Sequence, residues 1–197
     1  MNNEAEILLP EARRKAGHYE ILGETYAKLE FFENGWNPYS RFLDVDKVDL
    51  ILRRKVNGKK VYREVQVKYG KLLKVGPAWQ RELFDITSWR FFKEDEFTAQ
   101  MNETDFFIAY VLADDHGYRG DLFIFPVRDF VEIIRSGIPS KGQRGIPSKG
   151  QRKVYISRVK GQKDQWVLQQ RSGRFSVINP TTCLDGSKYR RNFKILL

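Results

Sequence analysis

The pattern of apolar and polar positions predicts an α/β fold that begins with a helix. Residues 4–33 carry apolar side chains at helical spacing, and Gly35 follows as a stop. Residues 36–40 contain a proline and are expected to form a turn. Two apolar-rich segments then read as strands, 46–53 and 61–69, and the Asn-Gly dipeptide between them favours a tight hairpin.

The middle of the chain continues this alternation of helices and strands. A second helix is predicted over 78–92, and a short third helix over 127–135. Between them lie two continuous apolar runs, 106–112 and 122–125, of the kind found in strands covered on both faces. The order of elements predicts a central mixed sheet flanked by helices.

The last third of the chain has a different character. An eight-residue segment is written twice, at 137–144 and 145–152, and its Gly, Pro, Ser and Lys content predicts a flexible surface loop. Beyond it a β-meander is expected, with strands at 154–159, 166–170 and 175–178. Its aromatic side chains fit either a core or base stacking: Tyr155, Trp166, Phe175. The predicted organisation is a core, a loop and a β-rich extension: 1–134, 135–152, 153–197.

Composition narrows the class of protein. With 197 residues, of which 41% are hydrophobic, the chain is long enough for one sizeable domain with a packed core. Cys183 is the single cysteine, which excludes an internal disulfide framework and a cysteine-rich zinc site. No apolar stretch approaches the length of a membrane span, and no export leader precedes the first helix. We therefore expect a soluble cytoplasmic protein without a membrane partner.

The formal charge of +10 is unevenly distributed. Residues 1–134 carry 20 Lys and Arg against 23 Asp and Glu, whereas residues 135–197 carry 15 against 2. This asymmetry predicts a polyanionic partner, with a basic solvated surface as the alternative. Candidate phosphate contacts, chosen by charge and position, are Lys153, Arg158, Lys160, Arg171, Arg174, Lys188, Arg190 and Arg191.

Candidate chemistry lies on the two hairpin strands. Side chains alternate along a strand, so Glu64, Gln66 and Lys68 share one face while the valines between them face a core. Asp49 on the preceding strand offers a carboxylate, and Gln66 offers an amide oxygen, both of which are hard ligands for Mg²⁺. Lys68 is a cation able to orient water or stabilise a phosphate, and Glu64 is a reserve acid.

Asp49 followed by Gln66-Val67-Lys68 resembles the PD-(D/E)XK nuclease superfamily, in the branch where Gln replaces the second acid. The resemblance implies a restriction-endonuclease-like core over about 4–125 and Mg²⁺-dependent cleavage of DNA, with Mn²⁺ as a substitute ion. The segment around Glu24 is similar to the family's first helix, so Glu24 is expected to face the metal. The implied catalytic residues are Glu24, Asp49, Gln66 and Lys68, and the implied metal ligands are Asp49, Gln66, Glu24 and Glu64.

Several alternatives stay open at this point. The acid replaced by Gln66 is compatible with a catalytically inactive nuclease fold that serves as a nucleic-acid-binding module. The basic C-terminal third is also compatible with an acidic protein partner. A second register would pair Asp49 with Glu64 and Gln66 and would leave Lys68 outside the motif. RNA as a substrate and a homodimeric assembly are both open.

Overall fold

The computed structural model describes residues 11–40, 47–114, 116–141, 147–170 and 173–197. Within these ranges the chain forms two β-sheets and three α-helices, which confirms the predicted α/β class. None of these helices has both the length and the apolar composition needed to cross a bilayer. The elements in chain order are α1 (Glu11–Glu33), β1 (Asn37–Ser40), β2 (Leu50–Val56), β3 (Lys59–Lys71), β4 (Leu73–Lys74), α2 (Ala78–Leu83), β5 (Phe84–Lys93), β6 (Phe106–Asp114), β7 (Gly117–Pro126), α3 (Val127–Ser136), β8 (Ile138–Lys141), β9 (Pro147–Val159), β10 (Trp166–Gln169) and β11 (Cys183–Asp185).

The first sheet has the strand order β1-β2-β3-β6-β7. Its first three strands are antiparallel neighbours, β6 runs parallel to β3, and β7 returns antiparallel to β6. The turn between β2 and β3 has Asn57 at φ 49° and Gly58 at φ 79°, the left-handed conformations that a tight two-residue hairpin requires. The predicted hairpin is therefore present, and both of its strands lie inside the sheet.

Helix α1 covers one face of this sheet. Ala27 and Phe31 of the helix are fully buried in a cluster with Leu50 and Val65 of the strands. A Cβ at Gly23 would lie 3.3 Å from the Tyr69 side chain, so a small residue at this position allows the helix close to β3. The opposite face of the sheet packs on α3 and the second sheet, through a larger cluster that contains Ile108, Tyr110 and Phe130. Strand β3 is thus a central strand between two layers.

The second sheet has the strand order β11-β10-β9-β5-β4, with β8 paired to β9. Strands β4 and β5 come from before residue 134, whereas β9, β10 and β11 come from after it. The second sheet therefore joins segments from both sides of the boundary expected from the sequence.

Two local predictions are wrong because strand pairing overrides the local pattern. The helix predicted over 78–92 ends at Leu83, and the rest is β5, which pairs with β9 from Phe84 to Lys93. Its β-branched and aromatic residues favour a strand once a partner is present. Residues 37–40, expected as a turn, form β1 because they pair with residues 50–53 of β2.

The tandem repeat also differs from its prediction. Its described parts form an antiparallel pair, in which β8 from the first copy lies beside β9 from the second. Strand β9 is already held by β5 over residues 151–159, so the second copy extends an existing strand rather than forming a loop. The third strand of the meander is β11 instead of 175–178, a segment that lies outside the strands of the described chain.

Candidate active site

Asp49 lies where strands β2 and β3 separate. Its backbone N–H donates to the Val65 carbonyl at 3.0 Å, and its carboxylate Oδ2 accepts from the Val67 N–H at 2.5 Å. Leu50 and Val65 are the last residue pair between β2 and β3. Beyond this pair, the Asp49 carboxylate accepts the hydrogen bond from Val67 that a backbone carbonyl would accept within a sheet. This bond fixes Asp49 beside the middle of β3.

Gln66 and Lys68 lie on the face of β3 opposite to α1. Asp49 bonds to the backbone of Val65 and Val67, on either side of Gln66, and its charge acts on Lys68, so the three residues are neighbours at one point of the sheet. Gln66 is buried, with 6% of its surface exposed, and Lys68 is half-buried. The strand alternation predicted for this segment is therefore observed, with Val65 fully buried on the other face.

The Lys68 ammonium lies in a mixed field of charges. Burial lowers the pKa of Lys68 most, and Arg90 lowers it further, while the carboxylates of Asp49 and Glu96 raise it. The net pKa is below the ordinary value of 10.5. The Nζ atom also lies 5.7 Å from the centroid of the Phe97 ring. Arg90 and Glu96 are thus neighbours of the site that the sequence pattern did not indicate.

The oxygen donors at this point are few. Asp49 supplies one carboxylate and Gln66 one amide oxygen, and no group of three or more His, Cys, Asp or Glu that could hold a metal occurs in the described ranges. Mg²⁺ commonly retains several waters and takes only one or two carboxylates together with substrate phosphate oxygens. These two donors fit an ion whose remaining ligands are water and phosphate oxygens. They are too few to coordinate an ion through protein ligands alone.

The two additional acids named from the sequence lie in different places. Glu24 is on α1, the layer that covers the opposite face of the sheet, and it forms an ion pair with Lys28 at 3.5 Å. Glu64 is on the face that bears Gln66, two residues earlier along β3 and opposite Ile51. The structure therefore brings Glu64 to the same face as Lys68 and places Glu24 on the other layer.

The sequence pattern did not point to a second cluster of cations, which lies at the β2–β3 turn. Residues 53–60, here called the basic hairpin, contain five Lys and Arg and no acid. Part of the hairpin borders a cavity of about 410 Å³ whose wall includes Trp36. The Trp36 indole Nε1 is buried without an acceptor, and the Arg54 guanidinium lies 5.9 Å from the ring centroid. A charge count in short windows would have detected this cluster.

Three cations of the basic hairpin share a face of the sheet with Gln66 and Lys68. In the β2–β3 register, Lys55 is opposite Lys60, and Arg53 is opposite Tyr62. Lys60 and Tyr62 are each an even number of residues from Gln66, so both pairs are on its side, whereas Arg54 and Lys59 alternate to the other face. Lys60 is six positions from Gln66 along β3, a span of about 20 Å.

The arginines of the C-terminal segment, residues 187–197, have partners within the molecule. Arg190 pairs with Asp121 at 3.0 Å and with Asp164 at 2.9 Å. Arg191 donates to the buried Glu30 carboxylate at 2.6 Å. These bonds hold the C-terminal segment against β7 and α1. Both arginines therefore already have carboxylate partners within the molecule.

The same buried carboxylate has a second donor, because the Tyr118 hydroxyl donates to Glu30 Oε1 at 2.6 Å. Burial raises the pKa of Tyr118, and the adjacent Glu30 raises it further. The tyrosine therefore stays protonated and remains a donor. Glu30 joins α1, β7 and the C-terminal segment through these two bonds.

The other predicted phosphate contacts vary in exposure. Three are exposed at the surface: Lys160, Arg174, Lys188. Arg158 lies 3.8 Å from the Asp85 carboxylate, and Lys153 lies over aromatic rings of the second sheet. Arg171 lies outside the described residues. Of the three meander aromatics, Trp166 and Phe175 are buried in the core, whereas Tyr155 is partly exposed.

Comparison with known proteins gives no match, whether to a family model, to a curated protein or to a solved structure.

Proposed function

We propose that this chain is a Mg²⁺-dependent DNA endonuclease with a restriction-endonuclease-like core. The observation that carries the proposal is that Asp49, Gln66 and Lys68 are neighbours at the point of the sheet where β2 and β3 separate. A carboxylate, an amide oxygen and a half-buried ammonium at one point are the groups that phosphodiester hydrolysis requires.

The order of the elements supports the proposed core. The resemblance implies a helix, a three-stranded meander, a helix and a fourth strand, and the chain has α1, then β1 to β3, then α2, then β6. Asp49 directly precedes the second of these strands, and Lys68 lies on the third. Strands β4 and β5 are an addition to that core, and they contribute to a separate sheet.

Asp49 and Gln66 are the residues that would hold the ion. Bound Mg²⁺ would supply an activated water and would neutralise charge on the phosphate. The bond from the Val67 N–H holds the Asp49 carboxylate in a fixed position, which lowers the cost of arranging the site before substrate arrives.

Lys68 contributes a positive charge next to this position. Because the ammonium is half-buried, its attraction for a phosphate oxygen is screened less than that of a surface lysine. We assign to Lys68 the stabilisation of negative charge that develops on the phosphate and the orientation of the attacking water.

The basic hairpin extends the proposed binding surface away from the site. Its cation Lys60 lies about 20 Å along β3 from Gln66 and on the same face, as do Arg53 and Lys55. This distance corresponds to roughly six base pairs of duplex at 3.4 Å each. We propose that the hairpin contacts the phosphate backbone while the scissile phosphate lies at Asp49.

The test is a plasmid-cleavage assay with Mg²⁺ and an EDTA control. We expect the unmodified protein to nick or linearise supercoiled DNA, and Asp49→Asn to lose that activity while it retains DNA binding. Asp164→Asn is the matched control, since it makes the same chemical change on a side chain that is 92% exposed. Retained cleavage in Asp49→Asn would remove Asp49 from the mechanism.

A second candidate function is a nucleic-acid-binding module without catalysis. The observation in its favour is that Asp49 is joined by Gln66 rather than by a second acid, with no cluster of three ligand-type side chains in the described chain. This function predicts DNA binding that is equal in Mg²⁺ and in EDTA, with no cleavage by any variant.

A further inference from the structure

Four side chains form an exposed aromatic surface on the second sheet. Trp89 and Phe91 alternate along β5, and the register places Tyr155 of β9 opposite Trp89 and Lys153 opposite Phe91. We call these four residues the aromatic platform. Trp89 and Phe91 are each 40% exposed, although large aromatic side chains usually gain by burial.

The platform residues contact one another. The Trp89 ring centroid is 5.8 Å from that of Phe91 and 6.4 Å from that of Tyr155. The Lys153 Nζ lies 3.7 Å from the Trp89 centroid, 5.1 Å from that of Tyr155 and 5.4 Å from that of Phe91. The ammonium is therefore held among three π faces, where cation–π attraction keeps it next to the exposed rings.

The charge of the surrounding strands indicates the kind of partner. Residues 86–93 and 150–160 contain six Lys and Arg and no acid, and strand alternation puts two of these cations, Lys93 and Lys153, on the face of the platform. Two nearby carboxylates are close to arginines, Asp85 of β5 to Arg158 and Glu94, which follows β5, to Arg135. A second copy of this face would bring like charges together, whereas a polyanion with planar groups complements both the rings and the cations.

We infer that the aromatic platform binds the unpaired bases of a single-stranded nucleic-acid segment. Bases stack on exposed aromatic rings with little sequence preference, and Lys153 is positioned to meet the phosphate beside a stacked base. The inference rests on the proposed function and deepens it, because it assigns a substrate that contains unpaired bases as well as duplex.

Arg90 connects the strand of the platform to the strand of the candidate site. Along β5 the side chains alternate, so Arg90 points to the side opposite Trp89 and Phe91. Its guanidinium donates to the Tyr69 carbonyl at 2.8 Å, and its charge reaches Lys68. Strand β5, which carries Trp89 and Phe91, is therefore in direct contact with β3, which carries Gln66 and Lys68.

The test measures binding of fluorescent oligo(dT) in EDTA, which removes any contribution from cleavage. We expect Trp89→Ala to weaken oligo(dT) binding roughly tenfold and Phe91→Ala at least several-fold, with Trp89→Phe retaining most of the affinity. Tyr19→Ala is the matched control, since it removes a comparably exposed ring from α1 and should have no effect. Thermal unfolding of each variant verifies that the fold is retained.

An abasic oligonucleotide of equal length separates stacking from charge. The platform predicts weaker binding of the abasic strand to the unmodified protein and no further loss in Trp89→Ala. Equal binding of both oligonucleotides, or unchanged oligo(dT) binding in Trp89→Ala and Phe91→Ala, would overturn the inference. Plasmid cleavage uses duplex DNA, so cleavage that persists alongside such a result would leave the proposed function standing.

Discussion

Two basic regions of this molecule use their cations in different ways. In the basic hairpin, residues 53–60, no ion pair joins the five cations to an acid within the described chain. In the C-terminal segment, residues 187–197, Arg190 and Arg191 pair with Asp121, Asp164 and Glu30. Positive charge alone therefore does not identify a binding surface. Whether a cation is available to a partner depends on the carboxylates that the fold places beside that cation.

We propose that the β2–β3 unit contacts nucleic acid and that the C-terminal segment has a structural role. Substitutions in the two regions test this division.

Among replacements of a single cation, that of Lys68 should have the largest effect on cleavage. Lys68→Met removes the half-buried ammonium next to Asp49, and we expect the cleavage rate to fall about 100-fold, because one preorganised charge or donor at a reacting phosphate has this order of effect. Lys194→Met removes an exposed cation from the C-terminal segment and should leave the rate unchanged. Equal rates in the two variants would contradict the assignment.

Neutralising the basic hairpin should weaken binding rather than catalysis. In a variant with Lys55, Lys59 and Lys60 all changed to Gln, we expect duplex affinity to fall at least about tenfold and the slope of log K against log salt to become shallower by about 2 to 3. Fluorescence anisotropy across a salt series measures both quantities. If the C-terminal variant Arg190→Gln with Arg191→Gln produced the larger change in slope, the comparison would be reversed.

Replacement of Arg191 should act on stability. Arg191→Gln removes a charged donor from the buried Glu30, which costs about 2 kcal/mol in the free energy of unfolding. For a chain of this size the loss corresponds to a decrease in Tm of about 4 to 8 °C. Calorimetry measures this change, with Lys194→Gln as the control from the same segment. An unchanged Tm would show that the pairing with Glu30 contributes little.

The smallest expected effect is a shift in pH dependence. If Lys68 acts as an ammonium, cleavage falls as the pH rises through its pKa, which lies below 10.5 in the folded protein. The Glu96 carboxylate raises that pKa. In a plot of cleavage rate against pH, Glu96→Gln should therefore move the alkaline limb, where the rate falls, to lower pH by less than about one pH unit. Arg90 lowers the pKa, so Arg90→Gln should move the limb in the opposite direction, and Glu82→Gln on α2 should not move it. A limb that stays in place in both variants would exclude Lys68 as its source.

Local patterns predicted most of the two strands at the candidate site, although β2 begins at Leu50, so Asp49, which is within the predicted strand 46–53, lies just outside the observed one. Alternation of side chains put Gln66 and Lys68 on one face of β3, and the Asn-Gly turn fixed the register that places Asp49 beside them. These features depend on residues within about one hairpin of each other, which is the range over which strand geometry is encoded in sequence.

Long-range pairing explains what the sequence did not reveal. Residues 84–93 have apolar spacing that is compatible with a helix, and they are a strand because β9 lies alongside, with paired residues 58 to 75 positions apart in the chain. Arg191 looked available because its partner Glu30 is 161 positions away. The basic hairpin escaped notice because acids elsewhere in residues 1–134 cancel its charge in a regional sum.

We propose that Asp49 and Gln66 together hold a divalent ion beside Lys68. Electron paramagnetic resonance can follow a Mn²⁺ titration of three proteins: the unmodified protein, Asp49→Asn and Gln66→Glu. We expect one weak site in the unmodified protein, its loss in Asp49→Asn, and tighter binding in Gln66→Glu because a second carboxylate is added. Indistinguishable Mn²⁺ binding by all three proteins would contradict the account.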